Sequence, residues 1–308
     1  MKKLFLFAFM AGFFVSAFSE NIPEEDQELI KSLRGVYRSM PETDPARYAI
    51  ELIAGRFWHS VDFARLMRKI PSTPQELAES RARLQTIRSE MEKGKKWKLS
   101  PPRFTIPKLK NPPVIDGEVS ADEWQGALNL TSFYPIDSET ADRTVSGIWH
   151  IGYHEKNLYF SAEFPEKALK TYRFHEKGDG RQPWDGDAVE MFILPDRRLM
   201  CYREIVCNAE GTMLSCLHTK SRNEIYINAN PEPTAPILCK SKEQNGIWSI
   251  EIAIPFSELP GYFRGNAPKS GETLHFALIR TKNGVFYSVF PLLYGGHNIY
   301  GYSTGTLE

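Results

Sequence analysis

The chain has 308 residues, of which 38 are Lys or Arg and 38 are Asp or Glu, so its formal net charge is zero. This balance argues against nucleic acid or an acidic membrane surface as the partner, because both attract strongly basic proteins. The hydrophobic content of 42% is typical of a globular protein, and the length suffices for one large domain or two ordinary ones.

The N-terminus has the layout of a secretory signal peptide. Lys2 and Lys3 precede an apolar run from Leu4 to Phe18, and small residues occupy the positions that a signal peptidase reads before a cut after Ser19. A membrane anchor is the alternative, but a spanning helix needs roughly 20 apolar residues and this run is shorter. We therefore predict that residues 1–19 are removed on export to a periplasm or the exterior, and that the mature protein has no membrane span.

Residues 20–99 are predicted to be α-helical. Pro23 and the acids after it suit a helix start, and Leu29, Leu33 and Val36 recur at helical spacing. The region contains neither a Gly-rich phosphate loop nor paired metal ligands, so we assign it no function. A small bundle, a layer packed against the following domain and a surface that contacts another protein all remain open.

Proline clusters mark residues 100–112 as a linker, after which the hydrophobic period changes from helical spacing to alternation. Apolar side chains alternate with others in two stretches, which are Leu158, Phe160, Ala162 and Phe164 between Tyr159, Ser161 and Glu163, and Ile250, Ile252 and Ile254 between Glu251 and Ala253. Many short strands separated by turns predict a two-sheet antiparallel β-sandwich of immunoglobulin-like or jelly-roll type over residues 113–308. The fold class is therefore mainly β, with an N-terminal α-helical region.

The four cysteines lie in this second half, at Cys201, Cys207, Cys216 and Cys239. They form no CxxC pair and no zinc signature. A buried free thiol is the simplest interpretation for each, and a disulfide between two strands is the alternative in an exported protein.

A turn and strand at Trp184–Pro195 carry the most informative side chains. Because side chains alternate along a strand, Glu190 points to the face opposite Val189 and Met191. A buried carboxylate is costly without a partner, and sugar hydroxyls beside the flat indole of Trp184 would supply partners. The alternative is an acid on a solvated sheet face beside a core Trp. We predict that three other tryptophans belong to the core: Trp124, Trp149 and Trp248.

Five short motifs in order resemble family 9 carbohydrate-binding modules over residues 113–307. They are the segment Ile115-Asp116-Gly117 followed by Trp124, Trp149 with Asn157-Leu158-Tyr159, Trp184 to Pro195, Trp248 to Phe256, and Gly271 to Arg280. The resemblance implies a sandwich that binds the ends of oligo- or polysaccharides without catalysis. It implies that Trp184 forms one wall of an aromatic clamp and that Glu190 takes sugar hydroxyls.

The family's second wall and an amide come from a late loop, which in this chain contains no Trp. Tyr294, Tyr300 and Tyr302 are the candidates for that wall, and we select Tyr300, with Asn298 as the amide. The resemblance also raises calcium, for which Asp185, Asp187 and Asp196 offer oxygen atoms. Turn formation is the simpler role for these aspartates, so no cofactor is predicted.

Three other functions remain as alternatives. A structural or interaction protein could keep the sandwich with a degenerate site. Glu190 with Asp185 or Asp187 could form a carboxylate pair for glycoside hydrolysis, although no GxSxG, HExxH or Cys–His signature is present. A haem carrier would need axial ligands, and the available side chains are Met191, Met200, Met213, His218 and His297.

Overall fold

A computed structural model of the chain describes residues 99–166, 168–172, 182–197, 201–218, 223–228, 236–260 and 268–308, with isolated positions between 75 and 97. The predicted signal peptide lies outside the described residues. So do the predicted helices of residues 20–99, apart from those isolated positions, of which 75, 85, 89, 92–94 and 96 have helical backbone. By its internal contacts the chain divides into two compact units, Met1–Lys98 and Leu99–Glu308. The second unit is the one described below.

Two sheets form this unit. The larger sheet runs in the order β1, β14, β12, β6, β7, β8 and β9, with β13 and β3 extending from β12. Its strands are β1 (Arg103–Ile106), β3 (Tyr134–Pro135), β6 (Ala188–Leu194), β7 (Tyr202–Asn208), β8 (Met213–His218), β9 (Asn223–Asn228), β12 (Thr273–Lys282), β13 (Val285–Ser288) and β14 (Ser303–Leu307). The smaller sheet has the order β10, β11, β5, β4 and β2. Its strands are β2 (Leu128–Leu130), β4 (Ile148–His154), β5 (Asn157–Pro165), β10 (Leu238–Gln244) and β11 (Ile247–Pro255).

The predicted mainly-β, two-sheet sandwich is confirmed. Alternating apolar side chains of β5 and β11 are fully buried, among them Phe160, Phe164 and Ile250. They meet the larger sheet through Arg280, whose guanidinium lies 4.8 Å from the centroid of the Phe164 ring. Period-two alternation thus places one face of each sheet in a shared core, as expected for aligned sheets.

The edge of the larger sheet differs from the prediction. The segment predicted as a proline-rich linker contains β1, which pairs in parallel with the C-terminal strand β14 from Arg103 to Ile106. Ile106 is fully buried. Part of residues 100–112 therefore belongs to the sheet, because the two proline clusters flank an extended piece that finds its partner at the other end of the chain.

The three predicted core tryptophans are buried, with Trp149 and Trp248 at 0% exposure and Trp124 at 4%. Trp124 covers the outer side of the smaller sheet, where its Nε1 donates a hydrogen bond to Glu251 Oε1 over 3.0 Å. Glu251 Oε2 also accepts from the backbone N–H groups of Asp116 and Gly117. Two of the sequence motifs therefore meet at one buried carboxylate.

Within the described residues, no helix is both long enough and apolar enough to cross a membrane.

Candidate functional site

The outer face of the larger sheet is the side of β6 that carries Ala188, Glu190 and Phe192. The opposite side of β6 faces the core, since Val189 is in register with the core residue Arg280. On the outer face, Glu190 is in register with Val206 of β7, and Phe192 with Glu204. Sheet register therefore sets which side chains can meet on this face.

Trp184 lies at one end of the outer face. It stands in a 3₁₀ turn, Pro183–Asp185, in which the Asp185 carboxylate accepts the Gln182 backbone N–H over 2.7 Å. The indole is partly buried and packs against a cluster of three buried residues, Ala188, Val206 and Leu214. The turn thus places the indole on the sheet surface and not between the two sheets.

Glu190 is the next outer-face residue along β6 and is only 6% exposed. Thr281 Oγ1 donates a hydrogen bond to its Oε1 over 2.8 Å. Burial, reinforced by the charge of Glu204, raises the pKa of Glu190 to about 8 although the Thr281 hydrogen bond acts in the opposite direction. The neutral carboxylic acid therefore predominates at pH 7, and it can donate as well as accept a hydrogen bond.

Asn298 and Tyr300 lie in the loop between β13 and β14. Asn298 is 2% exposed, and its Nδ2 donates to the Leu293 carbonyl over 2.9 Å. Tyr300 is partly exposed, and the carbonyl of nearby Tyr302 accepts a hydrogen bond from Arg197, which follows the end of β6. Trp184 precedes the start of that strand. Trp184 and the Tyr300 loop therefore lie near opposite ends of β6, which are roughly 20 Å apart at about 3.3 Å per residue.

A polar cluster that was not predicted as a unit occupies the outer face beside Phe192. Glu204 on β7 and His218 on β8 are 2.5 Å apart between Oε2 and Nε2. His297, from the same loop as Asn298, lies with its Nδ1 2.8 Å from the hydroxyl of Tyr202. The Tyr202 ring also stacks on His218, with centroids 4.6 Å apart.

Burial and charge act in opposition in this cluster. Burial lowers the pKa of His297, whereas the neighbouring Glu204 raises it to a lesser degree. For Glu204 burial acts to raise the pKa, but the charges of His297 and His218 and the His218 hydrogen bond together lower it. An ionised carboxylate therefore lies beside imidazole rings in a largely enclosed place.

The sequence contained part of this signal. His218 and His297 are among the candidate haem ligands in the sequence, whereas Glu204 and Tyr202 are not among the predicted site residues. Because side chains alternate along a strand, Tyr202 and Glu204 lie on one face of β7, and Arg203 between them lies on the other. In the β7–β8 hairpin Tyr202 pairs with His218, which adds this histidine to the same face.

The structure separates these histidines from two of the methionines considered with them. Met191 and Met213 are buried and belong to strand positions whose phase is opposite to that of Glu190 and His218. Met200 lies outside the described residues. Met191 and Met213 therefore cannot share an axial pair with His218 on the outer face.

Asp187 has a structural role in the core. Its Oδ1 lies 2.6 Å from Arg280 Nη2, and its Oδ2 accepts the Lys170 backbone N–H over 2.7 Å. Because Asp187 is 1% exposed on the core side and Glu190 is on the outer face, these two acids do not form a pair across one cleft. Asp185 serves the 3₁₀ turn, as the simpler interpretation of its role predicted.

Three solved structures are similar to this chain. In fold, the chain is similar to a Bacteroides uniformis ATCC 8492 protein assigned provisionally to carbohydrate binding, with a TM-score of 0.52 and 16% identity, covering 68% of this chain and 100% of that one. A family 9 carbohydrate-binding module from Caldicellulosiruptor kristjanssonii, in complex with cellotriose, gives a TM-score of 0.47 and 15% identity, covering 67% and 93%. The complex of a family 9 module from the same organism with glucose gives a TM-score of 0.46 and 15% identity. That match covers 66% of this chain and 95% of the other.

No curated protein matches the sequence. The family model for the carbohydrate family 9 binding domain-like proteins matches residues 115–280, which include all of β4 to β11 and most of β12. This range is more than half of the chain and contains the motif residues from Asp116 to Arg280. The chain therefore belongs to the carbohydrate family 9 binding domain-like family.

Proposed function

We propose that the protein is an exported, non-catalytic carbohydrate-binding protein that holds the end of an oligo- or polysaccharide on the outer face of its larger sheet. In this proposal one sugar ring stacks on Trp184 and a hydroxyl bonds to Glu190. The observation that carries it is the position of the Trp184 indole, which is partly exposed on the outer face and packed against the cluster that contains Val206, the register partner of Glu190.

An indole in this position suits a pyranose ring. Ala188, Val206 and Leu214 support one side of the indole, so that the remaining surface is held in a fixed orientation. Stacking a sugar on it removes apolar C–H surface from water, at about 25 cal/mol per Å². A single aromatic wall supports weak binding, with a dissociation constant in the high micromolar to millimolar range, or roughly 4 to 6 kcal/mol.

Glu190 suits hydroxyl recognition only at its accessible edge, because 6% of its surface is exposed. As a neutral acid bonded to Thr281 it offers both a donor and an acceptor to a sugar hydroxyl. Asp187 faces the core and pairs with Arg280, so Glu190 lacks this aspartate as a second acid for glycoside hydrolysis. These contacts favour binding over catalysis.

Titration of the purified protein with cellotriose and glucose, followed by a glycan array, tests the proposal. The informative variant is Trp184→Leu, which keeps apolar cover over Ala188, Val206 and Leu214 and removes the flat ring. We expect the strongest glycan signal to fall at least about tenfold, corresponding to the loss of about 1.4 kcal/mol. Ile247→Ala is the matched control, because Ile247 is an exposed apolar residue (43%) on the smaller sheet.

Two results would contradict the proposal. One is equal binding by the wild type and Trp184→Leu. The other is absence of binding to any glycan by a wild-type protein whose cooperative unfolding shows that it is folded, which would favour the interaction protein with a degenerate site.

A further inference from the structure

The cluster beside Phe192 has the composition of a transition-metal site. Among the residues that the structure describes, Glu204, His218 and His297 form a group of His, Cys, Asp or Glu side chains whose ligand atoms all lie within 4.8 Å of one another. Two imidazoles and one carboxylate are a ligand set that proteins use for zinc with a fourth position left open. Imidazole nitrogen favours zinc and its first-row neighbours over calcium or magnesium.

Backbone structure brings these ligands together. Glu204 is in register with Cys216, so His218 is its diagonal neighbour across the β7–β8 hairpin. Diagonal neighbours are within reach of long side chains. His297 arrives from the loop before β14, and Gly296 lets that loop approach, since a Cβ at that position would stand 2.2 Å from the Phe192 ring.

Neighbouring side chains orient both imidazoles. Tyr202 stacks on His218 at an interplanar angle of 15° and bonds through its hydroxyl to His297 Nδ1. Phe192 contacts His297 edge to face, with centroids 5.3 Å apart. Such outer partners fix the orientation of metal-bound histidines in known sites.

The spacing and the access both suit an ion. Ligand atoms about 2.0–2.1 Å from a tetrahedral zinc are separated by roughly 3.3 Å. The ligand atoms here lie within 4.8 Å of one another, with 2.5 Å between Glu204 and His218, so each separation needs to change by about 1.5 Å or less to form a coordination shell. Glu204 and His218 are buried, whereas His297 is partly exposed. An ion would therefore enter past His297.

We propose that Glu204, His218 and His297 bind a divalent transition-metal ion of the zinc class on the outer face of the larger sheet. The fourth position is open to water or to an oxygen of a ligand on the same face. This proposal stands on the three side chains and does not depend on carbohydrate binding.

The test uses untagged protein that has been stripped of metal with a chelator, with Zn²⁺ alone as the probe. Competition against a chromophoric chelator should give one Zn²⁺ per chain with a dissociation constant at or below about 1 µM. Glu204→Gln and His297→Ala should each weaken binding at least about 100-fold. His154→Gln, on the smaller sheet, is the matched control and should bind as the wild type does.

Co²⁺ in place of Zn²⁺ identifies the ligands independently of the variants. The wild type should show the visible absorption of a four- or five-coordinate cobalt with nitrogen and oxygen ligands and no cobalt–thiolate charge-transfer band. A thiolate band would assign the ion to the cysteines and overturn the proposal. So would a folded wild type that binds neither ion below about 100 µM, or retention of full affinity by both Glu204→Gln and His297→Ala.

Discussion

Burial and hydrogen-bond donors act in opposite directions on the buried carboxylate of Glu251. Glu251 is fully buried and accepts three N–H hydrogen bonds, from Trp124 and from the backbone of Asp116 and Gly117. Burial nevertheless outweighs these bonds and raises the pKa of Glu251 to about 7. The residue that links two family motifs therefore titrates near neutral pH.

The pKa of Glu251 gives a signed prediction for stability. A folded-state value near 7, above the ordinary 4.5, means that the folded chain holds this proton more tightly than the unfolded chain does. The stabilisation is complete below about pH 4.5 and is lost as the pH rises through 7. Glu251→Gln, which puts an amide N–H₂ among three donors, should destabilise the protein by about 1–3 kcal/mol at pH 5. The difference in unfolding free energy between the wild type and Glu251→Gln should be smaller at pH 8 than at pH 5.

Urea unfolding of both proteins at pH 5 and pH 8 measures this difference. Groups that titrate in both proteins cancel in the comparison, provided that they are independent of residue 251. A wild-type advantage that widens at pH 8 would show that the three hydrogen bonds outweigh burial.

Adjacent strands are tied to the core by a buried ion pair between Arg280 and Asp187, and Glu166 Oε1 lies 3.7 Å from the same Arg280 Nη2. Arg280 of β12 lies 2.6 Å from Asp187 at the start of β6, and its guanidinium lies 4.5 Å from the centroid of the Trp248 ring on β11. Both charges are almost completely enclosed, with 1% and 2% side-chain exposure. Their desolvation makes each dependent on the other.

Removal of only one of these two charges should lower the free energy of unfolding strongly, because the other charge is then left buried without its partner. Arg280→Met leaves the Asp187 carboxylate buried without its cation, and we expect a loss of about 3–5 kcal/mol. The double variant Arg280→Met/Asp187→Asn should lose less than the sum of the two single changes. Unfolding in urea around the full double-mutant cycle measures this coupling.

An exposed pair provides the control for that cycle. Lys242 and Glu118 form an ion pair with side chains 41% and 56% exposed, and Lys242→Met should cost less than about 1 kcal/mol. Additive losses at Arg280 and Asp187 would contradict the coupling.

The sequence predicted which residues form strands, but it did not predict which strands pair with each other. Alternation identified β5 and β11 because both have one face in the core, and the motifs located Trp184, Glu190 and Arg280 on strands or turns. Pairing is decided by residues far apart in the chain. β1 finds β14 across the whole unit, and His297 reaches His218 only once the β7–β8 register is set. The outer cluster therefore could not be assembled from local patterns.

The whole sandwich is closed by side chains that meet between the sheets, and two of them are thiols. Cys207 lies on β7 of the larger sheet and Cys239 on β10 of the smaller one, and both are buried and reduced in this structure. Burial, together with the hydrogen bond and the charge interaction between the Cys207 and Cys239 side chains, raises the pKa of Cys207 well above its ordinary value. The disulfide considered from the sequence thus has a specific candidate pair that would join the two sheets.

Refolding the protein in a glutathione redox buffer should form a disulfide between Cys207 and Cys239. It closes a loop of about 30 residues, so the chain-entropy model gives a stabilisation of about 3–4 kcal/mol over the reduced protein. Peptide mapping identifies the bond, and urea unfolding with and without reductant measures its effect. Cys207→Ser should abolish the oxidised–reduced difference, whereas Cys201→Ser, at a partly exposed position, should preserve it. A disulfide that involves Cys201 or Cys216, or oxidised and reduced proteins of equal stability, would contradict a stabilising bond between Cys207 and Cys239.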